Sequence, residues 1–257
     1  MVTSEIIILC LAAFGAGFVD SIVGGGGLLQ LPALILVYPQ TALVTLLGTN
    51  KLVSLTGTAF ATYRYSRQIA FSKHIIVPAM LTAFIFSGLG AYTVSILSNA
   101  FLKPVFICMM IAIFLVTIRN RHFGMVDHDP NIVVSLWKPI LVGSCIGFYD
   151  GFFGPGTGTL LIMAFVGFMS MTFVHGSAYA KMINLTTNFA AISMFVWKGT
   201  VLWNTALLMM VFNVAGSVLG VRMALLKGNE FVRGLLRFIV FATILKLAYE
   251  VWRDYMA

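Results

Sequence analysis

Apolar runs long enough to cross a bilayer follow one another along nearly the whole chain, and that succession limits the fold more than any other feature. Ile6 to Val23, Thr41 to Tyr63, Ile75 to Leu97, Phe101 to Ile118, Phe173 to Val196, Thr200 to Leu226 and Phe231 to Trp252 approach or exceed the length of a crossing helix, about 20 residues. Too little charge remains to clothe them for water. Only 9% of the 257 residues are charged, 60% are apolar, and the mean hydropathy is +1.00, whereas a soluble domain has about a quarter of its residues charged. A soluble fold is excluded. The expected class is an all-α polytopic membrane protein with the lipid bilayer as its first partner.

The net charge of +8 does not point to nucleic acid, because the basic residues lie scattered between apolar blocks. Positive charge at helix ends records orientation instead. Cys10, Cys108 and Cys145 sit singly inside apolar blocks and read as small buried hydrophobes, not a disulfide set or metal site. Trp137, Trp197, Trp203 and Trp252 stand at block edges, as interfacial anchors do. No basic region precedes the first apolar run, so no removable signal peptide is expected.

Two runs are broken by glycine. The first stops at Gly24-Gly25-Gly26-Gly27 and resumes for only ten residues, Leu28 to Val37. Ten helical residues span about 15 Å, half the hydrocarbon core. Later, Pro139 to Phe153 stops at Gly154-Pro155-Gly156-Thr157-Gly158, and Thr159 to Met169 follows.

The two breaks belong to a repeat. A shift of 130 residues lays Gly17 on Gly147, Phe18 on Phe148, Asp20 on Asp150, Gly24 on Gly154, Gly26 on Gly156, Lys51 on Lys181, Leu55 on Leu185 and Thr56 on Thr186. Apolar matches arise by chance in such a composition, but a rare Asp and a rare Lys at one offset do not. The chain therefore divides into a first membrane repeat (1–118), a polar connecting loop (119–138) containing Asp127, Asp129 and Pro130, and a second membrane repeat (139–257). Internal repeats are a common construction of secondary transporters.

Each Gly-broken pair is either a discontinuous crossing or a re-entrant hairpin, joined in each half by three transmembrane helices. As discontinuous crossings they make the halves parallel. Arg64, Arg67, Lys73, Arg119, Arg121, Lys138, Lys198 and Arg253 then face Lys103, Arg222, Lys227 and Arg233, eight against four. As hairpins they make the halves inverted, and only Lys103, Lys198 and Arg253 lie opposite the other nine. Positive charge concentrates on the cytoplasmic side. The nine-to-three division favours pseudo-symmetric inverted halves with both termini and the Asn99 and Lys198 turns outside, and Arg67 and Asp127 in the cytoplasm.

Glycine breaks at membrane depth leave backbone groups that survive only inside protein or against a wet cavity. Each break here is followed by a helix start, whose N–H groups and partial positive charge suit an anion. Two such ends at matched positions predict an anion site. Lys51 lies beside Thr49 and Asn50, and Lys181 near Asn184, Thr187 and Asn188. An ionisable group at depth is costly and marks function by default. The lysines either meet the substrate or balance Asp20 and Asp150, which position the helices or relay a proton. Arg237 and Lys246 read as snorkelling side chains. His175, near Ser177, has no suitably spaced acid to complete a hydrolytic set. HExxH and GxxxxGK[ST] are absent, so neither enzyme activity nor a cofactor is expected.

The residues Gly-Phe-Val-Asp-Ser-Ile-Val-Gly-Gly-Gly-Gly-Leu-Leu-Gln-Leu-Pro at 17–32, with Gly-Thr-Asn-Lys at 48–51 and Gly-Phe-Tyr-Asp-Gly-Phe-Phe-Gly-Pro-Gly-Thr-Gly-Thr at 147–159, resemble the paired signatures of the TauE/SafE sulfite exporter family over the whole chain. The resemblance implies a permease for sulfite, sulfonates and related organosulfur anions in the cytoplasmic (inner) membrane, working without ATP hydrolysis. The expected mechanism is alternating access driven by the proton or membrane-potential gradient. A homodimer is among the expected assemblies. Carried over, the motifs assign substrate binding to Gly24, Gly25, Gly26, Gly27, Gln30, Thr49, Asn50, Lys51, Gly154, Gly156, Thr157, Gly158, Thr159 and Lys181. The second half has Tyr179-Ala180 where the first has Thr49-Asn50, and Asn184 and Asn188 are expected to take that polar role. An anion channel would use the same cavity. An intramembrane enzyme lacks its nucleophile and base, and an assembly factor would carry two buried Asp/Lys sets to no purpose.

Overall fold

The computed structural model describes residues 3–98, 101–102 and 134–256, with the side chains of Thr3, Asn229, Arg233 and 236–256 outside the described set. The run from Phe101 to Ile118 is described only at its first two residues. Asn99, Lys103, Cys108, Arg119, Arg121, Asp127, Asp129 and Pro130 lie outside the described residues, as do the side chains of Arg237, Lys246, Trp252 and Arg253.

Every element among the described residues is helical. In chain order they are α1 (Thr3–Val23), α2 (Gly26–Val37), α3 (Leu43–Ser66), α4 (Lys73–Ile96), α5 (Trp137–Phe152), α6 (Thr157–Met169), α7 (Phe173–Trp197) and α8 (Trp203–Met256). α8 is interrupted at Gly228, whose backbone (φ 69°, ψ −159°) is not helical. Among the described residues, three stretches are long and apolar enough to cross a membrane: Ser4–Val23, Lys73–Ile96 and Trp203–Gly228. α3 and α7 match them in length but carry the buried polar residues, among them Asn50, Lys51, Thr58, Lys181, Asn184 and Asn188. They form the polar interior, and the more apolar helices enclose them. On the outer face Leu11, Leu36, Leu81, Val211 and Leu226 stand exposed. Hydrocarbon is the surrounding in which such a surface carries no penalty.

Helix packing follows small residues. α1 lies on α8 and α4 on α5, and a Cβ added to Gly17, Gly216 or Gly220 in the first contact would fall on the partner backbone or, at Gly220, also on Ser21. In the second contact Gly90, Gly143, Gly147 and Gly151 are equally close to their neighbours. Without a hydrophobic drive between helices in lipid, such approach is what gives dispersion its strength. Gly17 with Gly147, and Gly90 with Gly220, are separated by the same 130 residues as the motif pairs.

Polar contacts across helices obey the same shift, with the halves exchanged. Ser87 of α4 donates to the Thr187 carbonyl of α7 (2.8 Å), and Ser217 of α8 donates to the Gly57 carbonyl of α3 (2.8 Å). The Ser72 amide, at the start of α4, donates to the Tyr179 hydroxyl (2.6 Å). The Leu202 amide, at the start of α8, donates to Thr49 Oγ1 (2.9 Å). Unpaired first-turn amides are costly away from water, and Thr49 and Tyr179 each satisfy one on a helix of the other half.

Contacts also give helix directions. Gly48 lies against Phe195, Lys51 against Asn188 and Thr62 against Lys181, so α3 and α7 run antiparallel. α4 runs with α5, pairing Ala79, Ala83 and Ser87 with Gly143, Gly147 and Gly151 in turn. α2 lies back along α1, with Gly26 against Ala16 and Asp20, and Leu29 against Gly15.

Trp137, Trp197 and Trp203 sit exposed at helix ends, and the Lys198 ammonium lies 4.8 Å from the centre of the Trp197 ring. His175 has a local structural role: Thr172 caps α7 by accepting from the His175 amide and contacts its ring Nδ1 at 2.9 Å. Cys10 is buried as expected. Cys145 is exposed, which corrects the buried assignment: one face of α5 is turned outward, and a thiol is tolerated there as any small apolar group would be.

Candidate functional site

α1 ends at Val23, and Gly24 turns the chain with φ 68°. In the second break Gly154 (φ 88°) and Gly156 (φ 80°) lead into α6. All three lie in the left-handed region that side chains disfavour, which is why glycine recurs at these positions. The breaks touch each other. The Thr159 amide and hydroxyl both donate to the Gly24 carbonyl at 2.6 Å, the hydroxyl also reaches the Val23 carbonyl at 3.0 Å, and Gly27 faces Pro155.

Among the described residues, two ion pairs cross between the halves. Lys51 Nζ lies 2.7 Å from Asp150 Oδ1, and Lys181 Nζ lies 2.7 Å from Asp20 Oδ2. Each lysine is the ninth residue of its helix, about 12 Å from the start at 1.5 Å per residue. The charge balance between these lysines and aspartates therefore does not close within a half, as a pairing of Lys51 with Asp20 would. Each lysine balances the aspartate of the other half, because the antiparallel approach of α3 and α7 carries it to the end of the other half's first helix.

The two pairs have different surroundings. Lys51 Nζ also donates to Asn188 Oδ1 at 3.0 Å. The Asp150 side chain is 2% exposed, and its second oxygen has no partner. Asp20 is 17% exposed on its side chain, and Oδ2 accepts from Thr58 (3.4 Å) as well as from Lys181.

Around the Lys51–Asp150 pair lies a small, partly open cavity. Gly24, Gly26, Gly27, Asn50, Lys51, Gly154, Gly156, Thr157, Gly158, Asn184 and Asn188 line it, together with Asp20 and Asp150. Helix starts, one ammonium and several amides thus face one space that could hold a small anion. Ser54 also lines it and is the residue the sequence reading missed. Its signal was available, since a shift of 130 residues lays Ser54 on Asn184.

Five of the expected site residues are not on the wall. Thr49 caps α8. Gln30 donates to the Asn50 carbonyl (3.3 Å) and accepts from Asn213 (3.2 Å), so its amide is committed between helices. Thr159 holds the two breaks together. Lys181 is wholly buried against Asp20, and Gly25 forms the helix start behind Gly26. At α6, moreover, the Thr157 amide donates to the Gly154 carbonyl and that of Thr159 to the Gly24 carbonyl. Fewer donors remain at this helix start than a bare glycine break would offer.

The sequence profile of a family described as Sulfite exporter TauE/SafE matches residues 9–247. A protein of Haemophilus influenzae described as a probable membrane transporter protein is 32% identical over 243 residues, covering 95% of this chain and 94% of the relative. A protein of Sinorhizobium with a similar description is 34% identical over 239 residues, covering 93% and 90%. The probable membrane transporter protein YfcA of Escherichia coli is 33% identical over 245 residues, covering 95% and 89%. No solved structure matches.

Proposed function

The chain belongs to the sulfite exporter TauE/SafE family of membrane transporters, and from that premise we propose that it exports sulfite or a small sulfonate across the cytoplasmic membrane by alternating access. It is a transporter and not an enzyme. The observation that carries the anion reading is the cavity at the two glycine breaks, where the starts of α2 and α6 and the Lys51 ammonium face one space. A dehydrated anion needs compensation there. Amides give partial charge and Lys51 gives a whole one. In this reading Gly26, Gly27, Asn50, Lys51, Gly156, Gly158, Asn184 and Asn188 contact the substrate. Gln30, Thr49, Thr159 and Lys181 hold the wall in place, and Asp20 and Asp150 position the lysines.

The halves are read as inverted, with α1–α2 and α5–α6 as re-entrant hairpins. Support comes from helix direction: α2 folds back along α1, and α3 opposes its counterpart α7. Both termini then lie outside. In a variant without native cysteines, an impermeant thiol reagent added outside should label Lys198→Cys and spare Arg67→Cys. Labelling of both positions, or of Arg67→Cys alone, contradicts the arrangement.

Transport itself is tested in proteoliposomes. With an imposed pH difference or membrane potential, labelled sulfite or a short sulfonate should accumulate above its equilibrium level. Flux that only equilibrates identifies a channel, and no flux of any sulfur anion overturns the substrate reading.

A further inference from the structure

Two buried acceptor atoms of cavity-lining residues lack donors. Asp150 is 1% exposed and its Oδ2 has no hydrogen-bond partner, and Asn50 is 3% exposed and its Oδ1 has none. Both residues line the cavity. An unpaired buried acceptor is costly, and a charged one more so. The equivalent aspartate, Asp20, has no buried unpartnered oxygen: its Oδ2 accepts from Lys181 and Thr58, and its side chain is 17% exposed. The residue 130 positions beyond Asn50 is Ala180, which has no polar side chain. The acceptor pair is thus confined to one side of an otherwise matched site.

We propose that the cavity selects an anion carrying its own hydrogen-bond donor, an O–H or N–H close to the charged head, which reaches Asp150 and Asn50 while the head meets Lys51. The inference rests on the anion reading of this cavity and narrows its substrate class. An anion with acceptors alone, such as sulfate or an unsubstituted alkyl sulfonate, satisfies Lys51 but sets its oxygens against two unsatisfied oxygens of the wall. A metal cation suits those oxygens, but the Lys51 ammonium already sits 2.7 Å from the same carboxylate and repels it. A ligand with both an anionic head and a donor satisfies both groups.

The test is calorimetric titration of the purified full-length protein in nanodiscs. The ligands are ethanesulfonate and its terminal-hydroxyl derivative, together with propanoate and its terminal-hydroxyl derivative. A hydrogen bond to a charged group corresponds to about ten-fold or more in affinity, so the donor-bearing member of each set should bind at least about ten-fold more tightly. Asn50→Ala should shrink the advantage several-fold. Equal affinity within both sets overturns the proposal and leaves water as the donor. A donor advantage among carboxylates with no sulfonate binding retains the donor site and refutes the sulfur-anion reading. Binding of no ligand in either set refutes both.

Discussion

Lys51→Met is expected to lower unfolding stability by about 3–5 kcal/mol, the cost of leaving a buried charge without its partner, and Asp150→Asn is expected to restore most of it. Asp20→Asn is not. The geometry requires this pairing, with Lys51 Nζ 2.7 Å from Asp150 and Asp20 held instead by Lys181 and Thr58. Lys181→Met should cost less, about 1–3 kcal/mol, because the Asp20 side chain is 17% exposed and keeps its Thr58 donor, whereas Asp150 is buried and already carries one unpartnered oxygen. Unfolding of the purified variants in detergent measures both the order and the rescue. Rescue of Lys51→Met by Asp20→Asn, or a larger loss at Lys181, contradicts the exchanged pairing.

Gly24→Ala is expected to cost about 2–5 kcal/mol, from about 1–2 for a side chain in the left-handed region and about 1–3 for overpacking. The conformation is φ 68°, and the added Cβ would land on the Gly158 backbone. Gly158→Ala meets the reciprocal clash against Gly24 without the positive φ, so it should retain the packing part of the loss alone. Gly88 in α4 has nothing within 4 Å of an added Cβ, and Gly88→Ala should be neutral or stabilising by up to about 1 kcal/mol. Yields of folded protein and unfolding midpoints decide the order. Equal behaviour of Gly24→Ala and Gly88→Ala would refute the contact between the breaks.

Much of this arrangement was legible before any coordinates. Helix lengths followed from apolar runs, and α1, α2, α6 and α7 begin or end within about three residues of the runs that announced them. Glycine clusters located the breaks because few other residues permit them. What one dimension could not give was the partner of each lysine. Aligning Asp20 with Asp150 and Lys51 with Lys181 says that the four residues form equivalent pairs, but not whether the pairs close within a half or between halves. That depends on the antiparallel approach of α3 and α7. Thr49 shows a related limit. A threonine beside a buried lysine has the chemistry of a binding residue, and only the fold shows that its hydroxyl caps α8. Its counterpart Tyr179 caps α4 in the same way, so the departure from the Thr-Asn pattern preserves this structural bond while Ala180 gives up the polar wall that Asn50 supplies.

Whether Lys51 compensates the charge of a transported anion, beyond balancing Asp150, is decided by flux through the charge-neutral pair. Lys51→Met with Asp150→Asn should regain stability as above, and the purified double variant reconstituted in proteoliposomes should still lose sulfite or sulfonate flux by about a hundred-fold, since a desolvated anion then meets no full positive charge on the cavity wall. Flux at the wild-type level in that stable double variant would contradict the account, leaving Lys51 as nothing more than the counter-ion of Asp150.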